Sequence, residues 1–262
     1  MGQTIACANQ KGGVGKTTTV VNVAAYLAAD GARVLVIDID PQGNATSGLG
    51  AARAAAGRSI YDALLDNVPL GDLAIATDVP GLHLVPSSIA LAGAEVELAV
   101  LPQRERRLAR LLAPIAEAYD YVFVDCPPSL GLLTVNALTA ADAVLVPLQC
   151  EYYALEGLSQ LMATIHLVRD HLNPGLAVNG VVLTMFDART NLSAEVAAEV
   201  RLHLAGAVYE TVVPRSVRLA EAPSHGRPIA QYAPESRGAA AYRALATELH
   251  GRGIRHAVGG VA

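Results

Sequence analysis

Eight consecutive residues, Lys11-Gly12-Gly13-Val14-Gly15-Lys16-Thr17-Thr18, hold both lysines of this chain. The other 17 of its 19 Lys and Arg residues are arginine. An ammonium is a compact point charge on a flexible stem, whereas a guanidinium is a wide planar fork. A crowded anion pocket accepts the first and excludes the second. Gly12, Gly13 and Gly15 allow backbone N–H groups to converge on phosphate oxygens, and a helix opening at Lys16 adds its positive end. Lys16 then reaches β- and γ-phosphates, and the Thr17 hydroxyl coordinates Mg²⁺. The loop departs from the pattern G-x-x-x-x-G-K-[ST], which calls for glycine where Gln10 stands. The plain alternative is a glycine-rich turn that happens to carry lysines. The apolar run before it and the helical pattern after it favour the phosphate loop.

Two further segments place carboxylates at strand ends. Val34–Ile39 is an apolar run closed by Asp38-Ile39-Asp40-Pro41-Gln42-Gly43, where Pro41 and Gly43 force a turn. If the strand persists, alternation puts Asp38 and Asp40 on one face, toward the ligand crevice of a parallel sheet. There a carboxylate polarises an attacking water or holds Mg²⁺ through water; a pair of turn-forming aspartates fits the same residues equally well. Tyr121-Val122-Phe123-Val124-Asp125 has the Walker B shape, an apolar strand ending in an acid near the metal. Cys126-Pro127-Pro128-Ser129 makes the following loop stiff, as befits a switch that senses a γ-phosphate.

The elements that must carry these groups follow from patterning. Seven short apolar runs read as strands buried on both faces: Thr4–Ala8, Arg33–Asp38, Leu82–Pro86, Tyr121–Asp125, Ala143–Pro147, Val178–Met185 and Tyr209–Val213. Helical patterns lie between them, near Thr17–Ala29, Ile60–Leu65, Arg104–Tyr119, Ala154–Leu172, Ala194–Leu204 and Gly238–Leu249. This alternation predicts an α/β fold, a doubly wound, mostly parallel sheet with helices on both faces. With 262 residues, 52% of them hydrophobic, and no linker or repeat, the plainest organisation is a single domain over 1–262 with a flexible tail at 251–262. Three scattered cysteines exclude a disulfide framework and suit a reducing compartment. Met1 to Asn9 lacks the basic region of a signal peptide, and Leu130–Cys150 reads as helix, turn and buried strand rather than a membrane span. The net charge of −5 is uneven. Residues 1–188 carry ten Lys and Arg against eighteen Asp and Glu, net −8, whereas 189–262 carry nine Arg against six Glu, net +3. An ordinary solvated surface accounts for this; so does a basic patch that meets a polyanion.

Taken together, the loop with Asn9-Gln10, the segment Asp38 to Thr46 and the segment Asp125 to Gly131 resemble the ParA/Soj chromosome-partition ATPases. These belong to the deviant Walker A, or MinD/ParA, class of P-loop ATPases. The segments Gln149 to Gly157, Met185 to Asn191 and Glu221 to Gly226 carry the same resemblance, which runs from residue 3 to about 245.

The resemblance implies roles position by position. Lys11 matches the signature lysine that reaches the nucleotide of a second subunit. Lys16 matches the P-loop lysine, Thr17 the Mg²⁺ ligand, Asp40 the acid that activates the hydrolytic water and Asp125 the Walker B acid. Lys11, Lys16, Asp40 and Asp125 are thus the expected catalytic groups. Gly12, Gly13, Val14, Gly15 and Thr18 are expected to bind nucleotide with Lys11, Lys16 and Thr17, while Thr17, Asp38 and Asp125 attend the metal. Pro214 and Ser216 match the segment that brackets adenine. Arg189 and Arg218 match arginines of non-specific DNA binding, with Arg215, Arg227 and Arg243 as weaker candidates. What the family implies is ATP/ADP and Mg²⁺ as cofactors, an ATP-bound homodimer on double-stranded DNA, slow hydrolysis stimulated by a ParB-type partner, and a nucleoid-associated cytoplasmic protein. No helix-turn-helix precedes the loop, so operator-specific repression is not expected. Arg252 to Ala262 has no wide apolar stripe, so a MinD-like membrane role is disfavoured. A positioning ATPase for a protein cargo is the closer alternative.

Overall fold

The computed structural model describes residues 2–52, 57–151, 154–204 and 206–253. The chain alternates β1 (Gln3–Cys7), α1 (Lys16–Ala29), β2 (Val34–Asp38), α2 (Asn44–Gly48), α3 (Ile60–Asp66), α4 (Leu70–Leu73), β3 (Ile75–Ala76) and β4 (Leu82–Val85). It continues through α5 (Leu91–Ala99), α6 (Arg107–Leu112), β5 (Tyr121–Asp125), α7 (Leu132–Ala140), β6 (Ala143–Gln149) and α8 (Ala154–His171). The last elements are β7 (Ala177–Phe186), α9 (Asn191–His203), β8 (Val208–Pro214), α10 (Val217–Glu221), α11 (Ile229–Tyr232) and α12 (Arg237–Arg252).

The strands form one sheet in the order β3-β4-β2-β5-β1-β6-β7-β8, parallel except where β3 meets β4. The doubly wound reading is correct. Its cause is visible along each strand, where alternate residues feed opposite cores. Ala6, Leu35, Ile37, Val122, Val124 and Val144 join one apolar cluster with residues of α3, α5, α6, α7 and α8. Ile5, Cys7, Val34, Val36, Phe123 and Leu145 join the other, with residues of α1 and α12. A strand covered on both faces has no polar side, hence the unbroken apolar runs. Cys7, Cys126 and Cys150 are all buried free thiols.

Two expectations change. Arg104–Tyr119 is not one helix. A single 3₁₀ turn at Arg104–Arg106 precedes α6, and another at Ala116–Ala118 follows it. Pro114, which has no N–H to give to the Arg110 carbonyl, ends α6 after its C-cap, Ala113. At the C-terminus, α12 runs to Arg252, so residues 251 and 252 are helical. The rest of the expected tail, from 254 onward, lies outside the described residues. Among the described residues no helix is long and apolar enough to cross a membrane.

Candidate functional site

β1 sits in the middle of the sheet between β5 and β6, so the loop that follows it emerges at the centre of the carboxyl edge. Gly13 (φ 75°) and Gly15 (φ 88°) occupy the left-handed region, which a side chain there would strain. Gly15 is also the N-cap of α1 and contributes no side-chain cap, so the first amides of the helix are free for a ligand. Neighbouring elements lock the loop in place. The Asn9 side chain donates to the Pro147 carbonyl at 2.7 Å and accepts the Lys11 amide at 3.0 Å. From β7, the Thr184 hydroxyl donates to the Val14 carbonyl at 2.8 Å.

Gly12, Gly13, Gly15, Lys16, Thr17 and Thr18 line one side of a cavity of about 310 Å³; Asp40, Gln42 and Asn44 come from the turn after β2, and Pro128 from the loop after β5. Lys16 is only 6% exposed, and its ammonium donates to the Lys11 carbonyl at 3.1 Å. A second cavity of about 440 Å³ shares Gly15, Thr18, Met185 and Pro223 with the first and reaches Pro214, Arg215 and Ser216. Of the expected nucleotide residues, Gly12, Gly13, Gly15, Lys16, Thr17, Thr18, Pro214 and Ser216 line two adjoining hollows, whereas Lys11 and the buried Val14 line neither. Met185, at their junction, holds φ 51°, rare for a residue with a side chain. No composition or spacing signal marks it.

Lys11 behaves differently from Lys16. Its ammonium pairs with Glu151 at 2.7 Å, both side chains about two-fifths exposed (41% and 43%). Gln149 donates to the other oxygen of Glu151.

The two strand-end carboxylates face each other in register on β2 and β5. The Thr17 hydroxyl donates to Asp125 Oδ2 at 2.7 Å, and Asp125 Oδ1 is buried with no hydrogen-bond partner. A buried carboxylate oxygen left unsatisfied beside a hydroxyl fits a cation. The donor set is small and hard, which suits Mg²⁺, an ion that takes its remaining ligands from phosphate and water. Burial and then repulsion by Asp38 push the Asp125 carboxyl well above its ordinary range.

Asp38, expected beside the metal, is already committed to the protein. Its Oδ1 accepts the Asp40 amide at 3.2 Å, and its Oδ2 accepts both the amide and the hydroxyl of Thr46 at 2.7 Å. Burial pushes it up to about 6, partly offset by the Thr46 hydrogen bonds. These hydrogen bonds make it a brace of the turn. Asp40 lines the cavity, and its Oδ1 accepts the Gln42 amide at 2.9 Å.

The candidate arginines divide. Arg189 follows β7, Arg215 follows β8 and Arg218 lies on α10, so these three occupy one end of the sheet's β7–β8 edge. The Arg215 amide donates to the Phe186 carbonyl at 3.0 Å, and Arg189 and Arg215 together hold the Asp187 carboxyl below its usual range. Arg189 forks onto Asp187 (2.9 and 2.7 Å) and Arg218 pairs with Glu221 at 3.0 Å. Arg227 is exposed after the Gly226 turn. Arg243 is elsewhere, on α12 with its guanidinium 5.3 Å from the ring centre of Tyr26.

A family model described as an AAA domain matches residues 2–178. The sporulation initiation inhibitor protein Soj of Bacillus subtilis (strain 168) is 57% identical over 253 residues, 97% of this chain and 100% of that protein. The chromosome partitioning protein ParA of Myxococcus xanthus (strain DK1622) is 54% identical over 249 residues, covering 95% and 88% of the two chains. Among solved structures, cobyrinic acid a,c-diamide synthase from Mycobacterium smegmatis, with bound ATP analog and magnesium, superposes with a TM-score of 0.81 at 40% identity, covering 94% of this chain and 93% of that one. The cell division ATPase MinD of Pyrococcus furiosus gives a TM-score of 0.80 at 25% identity, covering 97% and 100%. Identity at this level, sustained over nearly the whole length of both partition proteins, settles the assignment: the chain belongs to the Soj/ParA family of chromosome-partitioning ATPases.

Proposed function

We propose that the chain hydrolyses ATP with Mg²⁺, that its ATP-bound form pairs with a second copy, and that the pair holds double-stranded DNA non-specifically until hydrolysis, stimulated by a ParB-type partner, releases it. The observation that carries the nucleotide reading is the unsatisfied Asp125 oxygen beside Thr17, beneath a loop whose glycines and Lys16 frame a cavity.

The chain's own groups divide the work. The amides of the Gly13–Lys16 turn and the Lys16 ammonium bind phosphate oxygens. Thr17 and Asp125 are the residues that would hold Mg²⁺, which supplies charge neutralisation on those oxygens. Pro214 and Ser216 flank the base. Asp40 orients the attacking water from the opposite wall. Lys11 is turned to Glu151 rather than into its own cavity, and this supports a role across an interface, on the nucleotide of the second copy. ATP then favours the pair because it contacts both subunits, and a ligand shifts an equilibrium only by its differential affinity. Arg189, Arg215 and Arg218 of two subunits would form a broad cationic rim. Contacts of that kind are made to phosphates, tolerate any sequence and weaken steeply with salt. We place the protein in the cytoplasm on the nucleoid, as one domain.

Size-exclusion chromatography with ADP, ATP, and ATP plus DNA tests this on the wild type and on Asp40→Ala. The reading expects a monomer with ADP and a dimer with ATP that persists in Asp40→Ala and co-elutes with DNA. A variant that stays monomeric in ATP would overturn the role given to Asp40.

A further inference from the structure

We infer that Ser87 and Thr46, with Asp38, are positioning residues for Asp40. This rests on the reading of Asp40 as the water-orienting carboxylate. The four residues close a ring of hydrogen bonds. Asp40 donates its amide to Asp38 Oδ1 at 3.2 Å. Asp38 Oδ2 accepts the Thr46 hydroxyl at 2.7 Å. The same hydroxyl accepts the Ser87 amide at 3.0 Å. The Ser87 hydroxyl returns to the Asp40 carbonyl at 2.6 Å.

Every member is shielded from solvent: Asp38 is 0% exposed, Thr46 and Ser87 are 1% and Asp40 is 6%. The ring draws on three separate segments, the end of β2, the helix α2 and the residues after β4. It fixes Asp40 at its amide and at its carbonyl, while the Gln42 amide holds Oδ1. Among the described residues nothing takes Oδ2, so one carboxylate oxygen is left to face the cavity that Asp40 lines. Ser87 and Thr46 do not line that cavity. They act on turnover only through the residues they hold, Asp40 at its carbonyl and Asp38 at its side chain.

Burial makes the ring effective. In a low-dielectric interior a hydrogen bond is stronger and an unpaired group costlier than at the surface. Each link therefore holds the next in one arrangement. A carboxylate displaced by a fraction of an ångström loses alignment with its water, and errors of that kind reduce rates far more than they reduce binding.

Steady-state ATP hydrolysis by the full-length chain tests the inference, with ATP affinity and the melting temperature measured alongside. Ser87→Ala and Thr46→Val should each lower kcat roughly tenfold, with KM for ATP close to wild type and the melting temperature lowered by only a few degrees, the cost of one orphaned buried partner. Thr46→Ser, which keeps the hydroxyl, should retain turnover. Because both positions serve one ring, the double variant should be no slower than the slower single variant. The inference is overturned if either single variant keeps wild-type kcat, if Thr46→Ser is as slow as Thr46→Val, or if the two losses multiply. It is also overturned if ATP affinity falls in step with kcat. Should Ser87→Ala not fold, the Thr46→Val and Thr46→Ser pair still decides. Asp40→Ala is the separate control: wild-type turnover in that variant would refute the reading of Asp40 and leave the ring as a structural brace.

Discussion

Replacing Glu151 with glutamine should tighten ATP-dependent pairing, because Lys11 must leave Glu151 before it can reach a second nucleotide. The contact is a 2.7 Å ion pair between side chains about two-fifths exposed. Pairs with that exposure contribute about 0.5 to 1 kcal/mol. Gln149 already restrains the carboxylate, so little ordering cost remains to offset the attraction. Two subunits give up two such pairs, about 1 to 2 kcal/mol in all, so their removal should lower the dimer Kd by about five- to thirtyfold. Sedimentation velocity over a concentration series, with saturating ATP in the Asp40→Ala background, measures that constant. The gain should shrink between 50 and 300 mM salt as the surface pair is screened. Lys11→Ala should do the opposite, weakening pairing more than it weakens nucleotide binding. An unchanged or weaker dimer in Glu151→Gln, or undiminished pairing in Lys11→Ala, refutes the cross-subunit role of Lys11.

Three other outcomes are expected. Lys16→Ala removes the one ammonium buried in the loop and should abolish ATP binding in equilibrium dialysis, with the fold retained by circular dichroism. For the facing carboxylates the sign follows from burial. Raised pKa values mean that the folded state favours the protonated forms, so the contribution of Asp38 to stability is fully present below about pH 4 and is lost as pH rises through about 6, the value to which it is pushed; Asp125 is raised in the same direction. Mg²⁺–ATP should therefore raise the melting temperature more at pH 8 than at pH 5.5; Asp125→Asn should flatten that difference, and equal shifts at the two pH values in the wild type would count against it. Arg218→Glu should lose DNA in a salt-dependent retention assay while still pairing with ATP; loss of both would make Arg218 structural.

What could be read from residues alone was what depends on neighbours in the chain. Glycine spacing, the strand before it and the helix after it define the phosphate loop within a dozen residues. The sheet was legible because strands covered on both faces cannot hide their apolar character. Asp38 and Asp125 could not be told apart, since each is an aspartate ending an apolar run. Their difference lies in distant partners: Thr46, eight residues on, takes one, and Thr17, 108 residues back, takes the other. Helix α5 escaped notice because Val96 (77% exposed) and Val100 (84%) lie outward while Leu91 and Leu98 lie inward, which blurs any periodicity. Pro114, by contrast, stood in plain view, and the helix through it should have been broken there. The strained backbone of Met185 left no mark in its residue type.

The unequal burial of the two lysines has a chemical consequence. An amine-directed reagent needs an accessible amine that can lose its proton. Lys16 is enclosed at 6% exposure, whereas the Lys11 side chain is 41% exposed. With every other cation an arginine, reductive methylation or an amine-reactive fluorophore has a single open side chain to find, besides the α-amino group. Lys11 is a natural label site at the place where a second subunit would arrive, so its rate of modification becomes a solution reporter of pairing.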